Sequence, residues 1–95
     1  MIIMAERVDY YAITSFGKPA EAADGLARRR VVEENGKVVG VHDEAIRRDL
    51  SWAADSVIVE WEHGESTEKL VPVSEGEAAR IVERFRTAWG PPPGV

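Results

Sequence analysis

Residues 67–89, TEKLVPVSEGEAARIVERFRTAW, decide the fold, because they describe a short strand that runs directly into an amphipathic helix. Ser74 and Glu77 match the capping box, in which each side chain accepts a hydrogen bond from the other residue's backbone N–H. Behind this cap, apolar residues recur at helical spacing and predict one buried stripe, made of Ala78, Ile81, Val82, Phe85, Ala88 and Trp89. Gly90 and the prolines after it predict the end of the helix.

Two strand signals precede this helix. Val8–Thr14 alternates, with Val8, Tyr10 and Ala12 on one face and Tyr11 and Ile13 on the other. Arg28–His42 reads as a hairpin, because Asn35-Gly36 is a favoured pair for a two-residue turn that needs positive φ at both positions. This register puts Glu34 opposite Lys37. It also predicts that the valines divide between the two faces, with Val32, Val39 and Val41 on one and Val31 and Val38 on the other.

The middle of the chain is less regular. Asp43–Trp52 favours a short helix or a turn, although Leu50 and Trp52 also alternate as in a strand. Val57–Glu62 reads as a strand that forms a second hairpin with Lys69–Val73. Pro72 cannot donate a hydrogen bond to a ladder, so this last strand is expected at an edge or with Pro72 at its frayed end.

Together these elements predict an α+β fold: an antiparallel sheet of four or five strands packed against one C-terminal amphipathic helix. The strands comprise two β-hairpins and an N-terminal strand. Residues 1–90 are expected to form a single domain, and residues 91–95 a Pro-rich tail. In this arrangement Trp61 and Phe85 are expected to be buried together between helix and sheet.

Composition narrows the functional classes. The net charge of −5 lies entirely in residues 49–95, since residues 1–48 carry eight basic and eight acidic side chains. An acidic balance argues against a nucleic-acid-binding protein. No apolar run is long enough for a membrane span, and Met1–Met4 is followed by charges rather than by a signal-peptide pattern, so a cytoplasmic location is expected. The absence of cysteine excludes disulfides and thiolate metal sites.

Catalytic and metal-binding patterns are weak. The serines do not lie in a G-x-S-x-G context, and the glycines form no phosphate-binding motif. His42 is followed by Asp43 and Glu44, but adjacent strand residues point to opposite faces and match no metal-ligand spacing. We therefore predict no catalytic residues, no metal and no cofactor. The alternative is a small enzyme or a metal- or ligand-binding protein that uses His42 or His63 with nearby carboxylates.

A non-catalytic interaction, accessory or regulatory module is the favoured interpretation. The stretch from Glu60 to Glu68 concentrates negative charge that suits a basic protein partner, and a sheet edge would also permit self-association. Arg28-Arg29-Arg30 is the only basic run, and it either grips a partner or pairs with neighbouring acids. The predicted partner-binding residues are Glu60, Glu62, Glu65, Glu68, Trp52, Arg28 and Arg30.

The pattern RRRVV…VHDEAIRRDLSW…VPVSEGEAARIVERFRTAW resembles small uncharacterised proteins of about this length that recur in GC-rich actinobacteria. The resemblance covers roughly residues 8–89. It implies a compact α+β fold, and it transfers no catalytic or binding residue to this chain.

Overall fold

The computed structural model describes residues 1–15 and 18–90 and has the expected α+β architecture. The elements are β1 (Met4–Thr14), a 3-10 turn (Ala20–Ala22), β2 (Gly25–Glu34), β3 (Lys37–Ile46), β4 (Trp52–Ala54), α1 (Val57–Glu62), β5 (Lys69–Val73) and α2 (Glu75–Trp89). The strands form one five-stranded antiparallel sheet in the order β4-β3-β2-β1-β5. The Pro-rich tail predicted over residues 91–95 lies outside the described residues.

The C-terminal helix α2 is built as the sequence predicts. The Ser74 Oγ accepts a hydrogen bond from the Glu77 N–H at 3.1 Å, and the Glu77 carboxylate accepts one from the Ser74 N–H at 3.2 Å. The buried stripe of Ala78, Ile81 and Phe85 packs against the sheet, and Val82 and Trp89 are half-buried beside it. Ala88, also predicted for this stripe, is exposed.

The β2–β3 hairpin confirms the predicted turn. Asn35 and Gly36 have φ of 52° and 82°, and Glu34 lies opposite Lys37. The predicted division of the valines is wrong in one respect, because the register shifts between Val32 and Glu33. This irregularity adds a residue to β3, so Val41 lies opposite Val31 and shares its face instead of the face of Val32.

The segment Val57–Glu62 is the helix α1 and not a strand. Asp55 starts it by accepting a hydrogen bond from the Val57 N–H at 2.8 Å. A helical turn buries the adjacent residues Val57 and Ile58 on the same side, which a strand with its alternating faces cannot do. The second hairpin predicted for this segment is therefore wrong, although β5 is an edge strand that carries Pro72, as expected.

The contact predicted between Trp61 and Phe85 is also wrong, because the two rings lie on opposite faces of the sheet. Trp61 stands beside Tyr11 with ring centroids 6.4 Å apart and is 37% exposed. Phe85 is buried on the other face and stacks on Trp89 at 4.3 Å. The error follows from the strand assignment of Val57–Glu62, since α1 covers the face opposite to α2.

The stretch Asp43–Trp52 contains the predicted turn but no helix. Its first four residues extend β3 to Ile46, and its last residue, Trp52, begins β4. Between them the Arg47 N–H donates to the Ser51 carbonyl at 2.8 Å, and the chain reverses through Leu50 with φ of 69°. A leucine in this left-handed conformation is uncommon. Leu50 packs against the cluster that contains Phe85, which compensates for the strain.

In the part of the chain that the structure describes, α1 and α2 cover one end of the sheet and leave the other end uncovered. Beneath α2 lie Ala12 and Leu26, and beneath α1 lie Ala27 and Leu70. Tyr10 belongs to the first cluster and Tyr11 to the second, which confirms the predicted alternation of β1. Earlier residues of β1 and the whole β2–β3 turn belong to neither cluster. Among the residues that the structure describes, no helix therefore covers the end of the sheet around this turn.

Candidate interaction surfaces

On the face covered by α2, the predicted partner-binding residues Arg28 and Arg30 are engaged within the sheet. The Glu44 Oε1 accepts hydrogen bonds from Arg28 Nε at 2.8 Å and from Arg30 Nε at 3.0 Å. The hydrogen bond from Arg28 is the main reason that the pKa of Glu44 lies below its usual value. Arg30 also reaches Glu6 at 3.5 Å. The structure thus gives both arginines acidic partners inside the chain.

Trp52 packs against Arg28, one of these two arginines. The Arg28 guanidinium lies 4.1 Å from the centroid of the Trp52 ring, and the Tyr10 ring is 6.3 Å from it. Stacking a guanidinium on an aromatic face is a favourable cation–π arrangement. Trp52 is half-buried in this setting, and only part of its surface is left for a partner.

Arg29 is the most highly bonded side chain on the opposite face, and sequence reasoning did not select it. Its guanidinium binds the Asp43 carboxylate at 2.7 and 2.9 Å and the Glu62 carboxylate at 2.9 and 3.0 Å. Hydrogen bonding to Arg29 lowers the pKa of Glu62. Because Glu62 is the last residue of α1, Arg29 fastens the end of this helix to the sheet. The sequence did contain a signal for this difference. Side chains alternate between the two faces of a strand, so Arg29 points away from the face that Arg28 and Arg30 share.

Three of the predicted glutamates remain on the surface. Glu60 belongs to α1, and Glu65 and Glu68 lie in the loop that follows it; no salt bridge within the described residues involves any of the three. Trp61 and Val59 are exposed among them. We call Val59, Glu60, Trp61, Glu65 and Glu68 the acidic surface. That it binds a basic partner stays a prediction.

The two histidines are not brought together. His42 lies on β3 opposite Arg30, on the face that α2 covers at its other end, whereas His63 follows α1 on the opposite face. In residues 1–15 and 18–90, no group of three metal-ligating side chains converges. A groove of about 360 Å³ lies between the 3-10 turn and α2 and is lined by Ala20, Glu21, Glu77, Arg80, Ile81 and Arg84. It contains neither histidine.

The uncovered end of the sheet carries most of the exposed apolar side chains. We call Met4–Asp9 of β1, Arg30–Glu34 of β2 and Lys37–His42 of β3 the distal sheet. Of nine large hydrophobic residues exposed in the described chain, seven belong to the distal sheet or to the residues that precede it: Met1, Ile2, Ile3, Met4, Val38, Val39 and Val41. Clustered exposure of this kind is typical of an interaction surface.

The distal sheet also has free strand edges. The short strand β4 pairs only with Glu44–Ile46 of β3, and β5 pairs only with Tyr10–Thr14 of β1. Lys37–His42 and Met4–Asp9 therefore have no neighbouring strand on their outer sides in the described chain. Unpaired N–H and C=O groups along a strand edge can accept a further strand.

Asn35 ties the start of the chain to the distal sheet. Its side-chain oxygen accepts a hydrogen bond from the Ile3 N–H at 2.9 Å, and its own N–H donates to the Ile3 carbonyl at 2.9 Å. Sequence reasoning explained Asn35 by its turn conformation alone and missed this role. The two hydrogen bonds hold the backbone of Ile3 beside the turn, where its side chain is exposed.

Comparison with models of protein families, with curated proteins and with solved structures yields no match for this chain. Within residues 1–15 and 18–90, no helix combines the length and apolar character that crossing a membrane requires.

Proposed function

We propose that this protein is a non-catalytic interaction module and that the distal sheet is its binding surface. The observation that carries the proposal is the coincidence of exposed hydrophobic side chains and free strand edges at an end of the sheet that no helix of the described residues covers. A chain that served only as a compact fold would gain stability by covering these residues.

The energetics support binding at this surface. Val38, Val39 and Val41 are each between 51% and 57% exposed. Complete burial of a valine side chain is worth roughly 1.5–3 kcal/mol, so removing the remaining surface of each is worth about 1 kcal/mol. Backbone hydrogen bonds along a free edge would add to this, and both contributions must exceed the cost of association.

Site-specific photo-crosslinking in the cells of origin tests the proposal. A benzophenone amino acid replaces Val39 in the distal sheet, and a matched control carries it at Ala88, which is exposed on α2. We expect irradiation to produce discrete higher-mass adducts at Val39 that are absent at Ala88. No adduct at Val39, or the same adducts at both positions, would overturn the proposal.

A further inference from the structure

We propose that the free edge of β1 over Met4–Asp9 binds an extended segment of a different protein, which adds to the sheet as an antiparallel strand. The inference rests on the proposed function, because Met4–Asp9 belongs to the distal sheet. It identifies which edge is used and what residues the partner segment carries. The order of apolar, acidic and basic residues in that segment follows from the side chains that the added strand would face.

The backbone of β1 leaves hydrogen-bonding groups open at this edge. The Ile3 carbonyl accepts a hydrogen bond from the Asn35 N–H at 2.9 Å, just beyond one end of β2. The Ile13 carbonyl accepts one from the Asp24 N–H at 2.8 Å, just beyond the other end. The register between β1 and β2 has no shift, and backbone directions alternate along a strand, so odd-numbered residues face β2. The even-numbered residues of the free part direct their N–H and C=O outward: Met4, Glu6 and Val8.

The space beside these residues is open in the described chain. The strand β5 pairs with Tyr10–Thr14 and then leaves the sheet at Ser74, where α2 begins. A cleft of about 230 Å³ opens between Val8 and the end of β5. An added strand that starts at this cleft would continue the line of β5 along β1. In an antiparallel ladder, each outward residue of β1 would then exchange a pair of hydrogen bonds with the residue opposite.

Other edges, and a second copy of β1, fit less well. The edge strand β5 carries Pro72, which cannot donate a hydrogen bond, and β4 has only three residues. The strand β3 carries its extra residue between Val38 and Gly40, and such irregularities are one way in which proteins protect an edge. A second copy that paired over the whole of residues 4–8 would place Glu6 opposite Glu6. Like charges directly opposite each other are destabilising.

The side chains on the α2 face select apolar and basic residues in the added strand. Tyr10 packs on this face, and by alternation the outward residues of β1 share it. Met4 is 58% exposed and Val8 is half-buried, so apolar residues opposite them would cover both. Glu6 lies between the two, and its side chain is 46% exposed. A basic residue opposite Glu6 makes a favourable cross-strand pair.

The other face selects an acidic residue. The side chain of Arg7 is 63% exposed, and its Nε binds Asp9 at 3.3 Å. A guanidinium has further N–H donors on its terminal nitrogens, which favour a carboxylate opposite. The neighbour of Arg7 on this face is Ala5, which favours a small residue because it leaves the face low. In the direction of the added strand, the order is therefore apolar, acidic, basic, small and apolar.

A tethered probe strand tests both the edge and this order. The segment Val-Glu-Lys-Thr-Val is joined ahead of Met1 of the full chain through a flexible linker of about eight Gly and Ser residues, which gives it a high effective concentration. We expect hydrogen exchange at the outward amides of Glu6 and Val8 to slow by about tenfold or more relative to the chain without the probe. The amides of α2 are the internal reference for the stability of the whole fold.

The matched control is the probe Val-Lys-Glu-Thr-Val, which has the same composition with the two charges exchanged. It places like charges opposite Glu6 and Arg7, so we expect clearly less protection of the outward amides. Equal protection by the two probes, or protection by neither, would overturn the proposal.

Photo-crosslinking in cells separates this edge from the broader interaction surface. A benzophenone amino acid replaces the exposed Met4, with Ala88 again as the control. We expect an adduct at Met4 alone, and mass spectrometry should place the cross-link in a segment with the order given above. An adduct with a second copy, or with a segment that lacks this order, would overturn the proposal. Adducts at Val39 without any at Met4 overturn the β1 edge and leave the distal sheet as the binding surface, whereas no adduct at either position overturns both proposals.

Discussion

Replacing Arg29 by methionine tests how much the arginine on the α1 face contributes to stability. Methionine retains an apolar stem but removes four hydrogen bonds, two to Asp43 and two to Glu62. Breaking a buried ion pair costs roughly 3–5 kcal/mol, whereas an exposed pair is worth about 0–1 kcal/mol. The side chains of Arg29 and Asp43 are 20% and 12% exposed, but that of Glu62 is 45% exposed. We therefore expect a loss of about 2–3 kcal/mol at neutral pH.

The pH dependence of this loss identifies its cause. Arg29 depresses the pKa of folded Glu62 below the ordinary value of 4.5. A carboxyl with a depressed folded pKa contributes stability that is fully present above its unfolded pKa and is lost as the pH falls through the folded pKa. The difference between wild type and Arg29→Met should therefore be largest near pH 7 and shrink as the pH falls below about 4.5.

Urea denaturation at a series of pH values measures this difference, and Arg7→Met is the matched control. Arg7 and Asp9 both lie on β1, the strand next to the one that carries Arg29. Their charged groups are 3.3 Å apart, but the two side chains are 63% and 40% exposed. We expect the control to change the free energy of unfolding by less than about 0.5 kcal/mol at every pH. Equal effects of the two substitutions, or an Arg29→Met effect that does not vary with pH, would refute the reasoning.

Further predictions follow from the turn, the core and the acidic surface. Phe85→Ala should cost roughly 3–5 kcal/mol in urea denaturation, and Trp61→Ala clearly less, because only Phe85 is fully buried; equal losses would contradict this. Gly36→Val should lower the melting temperature, since φ at Gly36 is 82° and valine tolerates it poorly. Glu60→Lys with Glu65→Lys should slow association with a basic partner and weaken its salt dependence. Unchanged kinetics would assign these glutamates to solubility alone.

The acidic-surface variants differ from the choice that sequence alone suggests. Glu60 and Glu62 are close in sequence, and sequence alone offers them as an equivalent pair for charge reversal. The structure separates them, since Glu62 is bound to Arg29 and Glu60 is in no salt bridge within the described chain. Reversing Glu62 would place a lysine against Arg29 and destabilise the end of α1. A binding defect in such a variant would not distinguish a lost contact from a displaced helix.

The parts of the fold that sequence predicted are those with a local chemical signal. The capping box at Ser74 and the turn at Asn35-Gly36 each require particular residue types at fixed positions, and both are confirmed. The apolar run of Val57–Glu62 has no such signal, because a short run fits a strand and a helix equally well. Burial of Val57 and Ile58 against Ala27 and Leu70 decides between them, and those partners are distant in sequence.

The arginine run illustrates the same limit for the candidate site. Strand alternation correctly separates Arg29 from Arg28 and Arg30, but it does not identify their partners. Those partners come from the neighbouring strand β3 and from the end of α1, whose helical form sequence did not predict.

Once these charges are matched within the fold, the basic run no longer offers an unpaired surface for a ligand. Lys37–His42 of β3 is then, like Met4–Asp9 of β1, a part of the described sheet whose outward backbone groups have no neighbouring strand, and it carries exposed valines. Unsatisfied backbone groups beside exposed valines favour strand addition over the recognition of charge. Binding through this edge should therefore depend less on salt than binding at the acidic surface, and a single salt titration separates the two interactions.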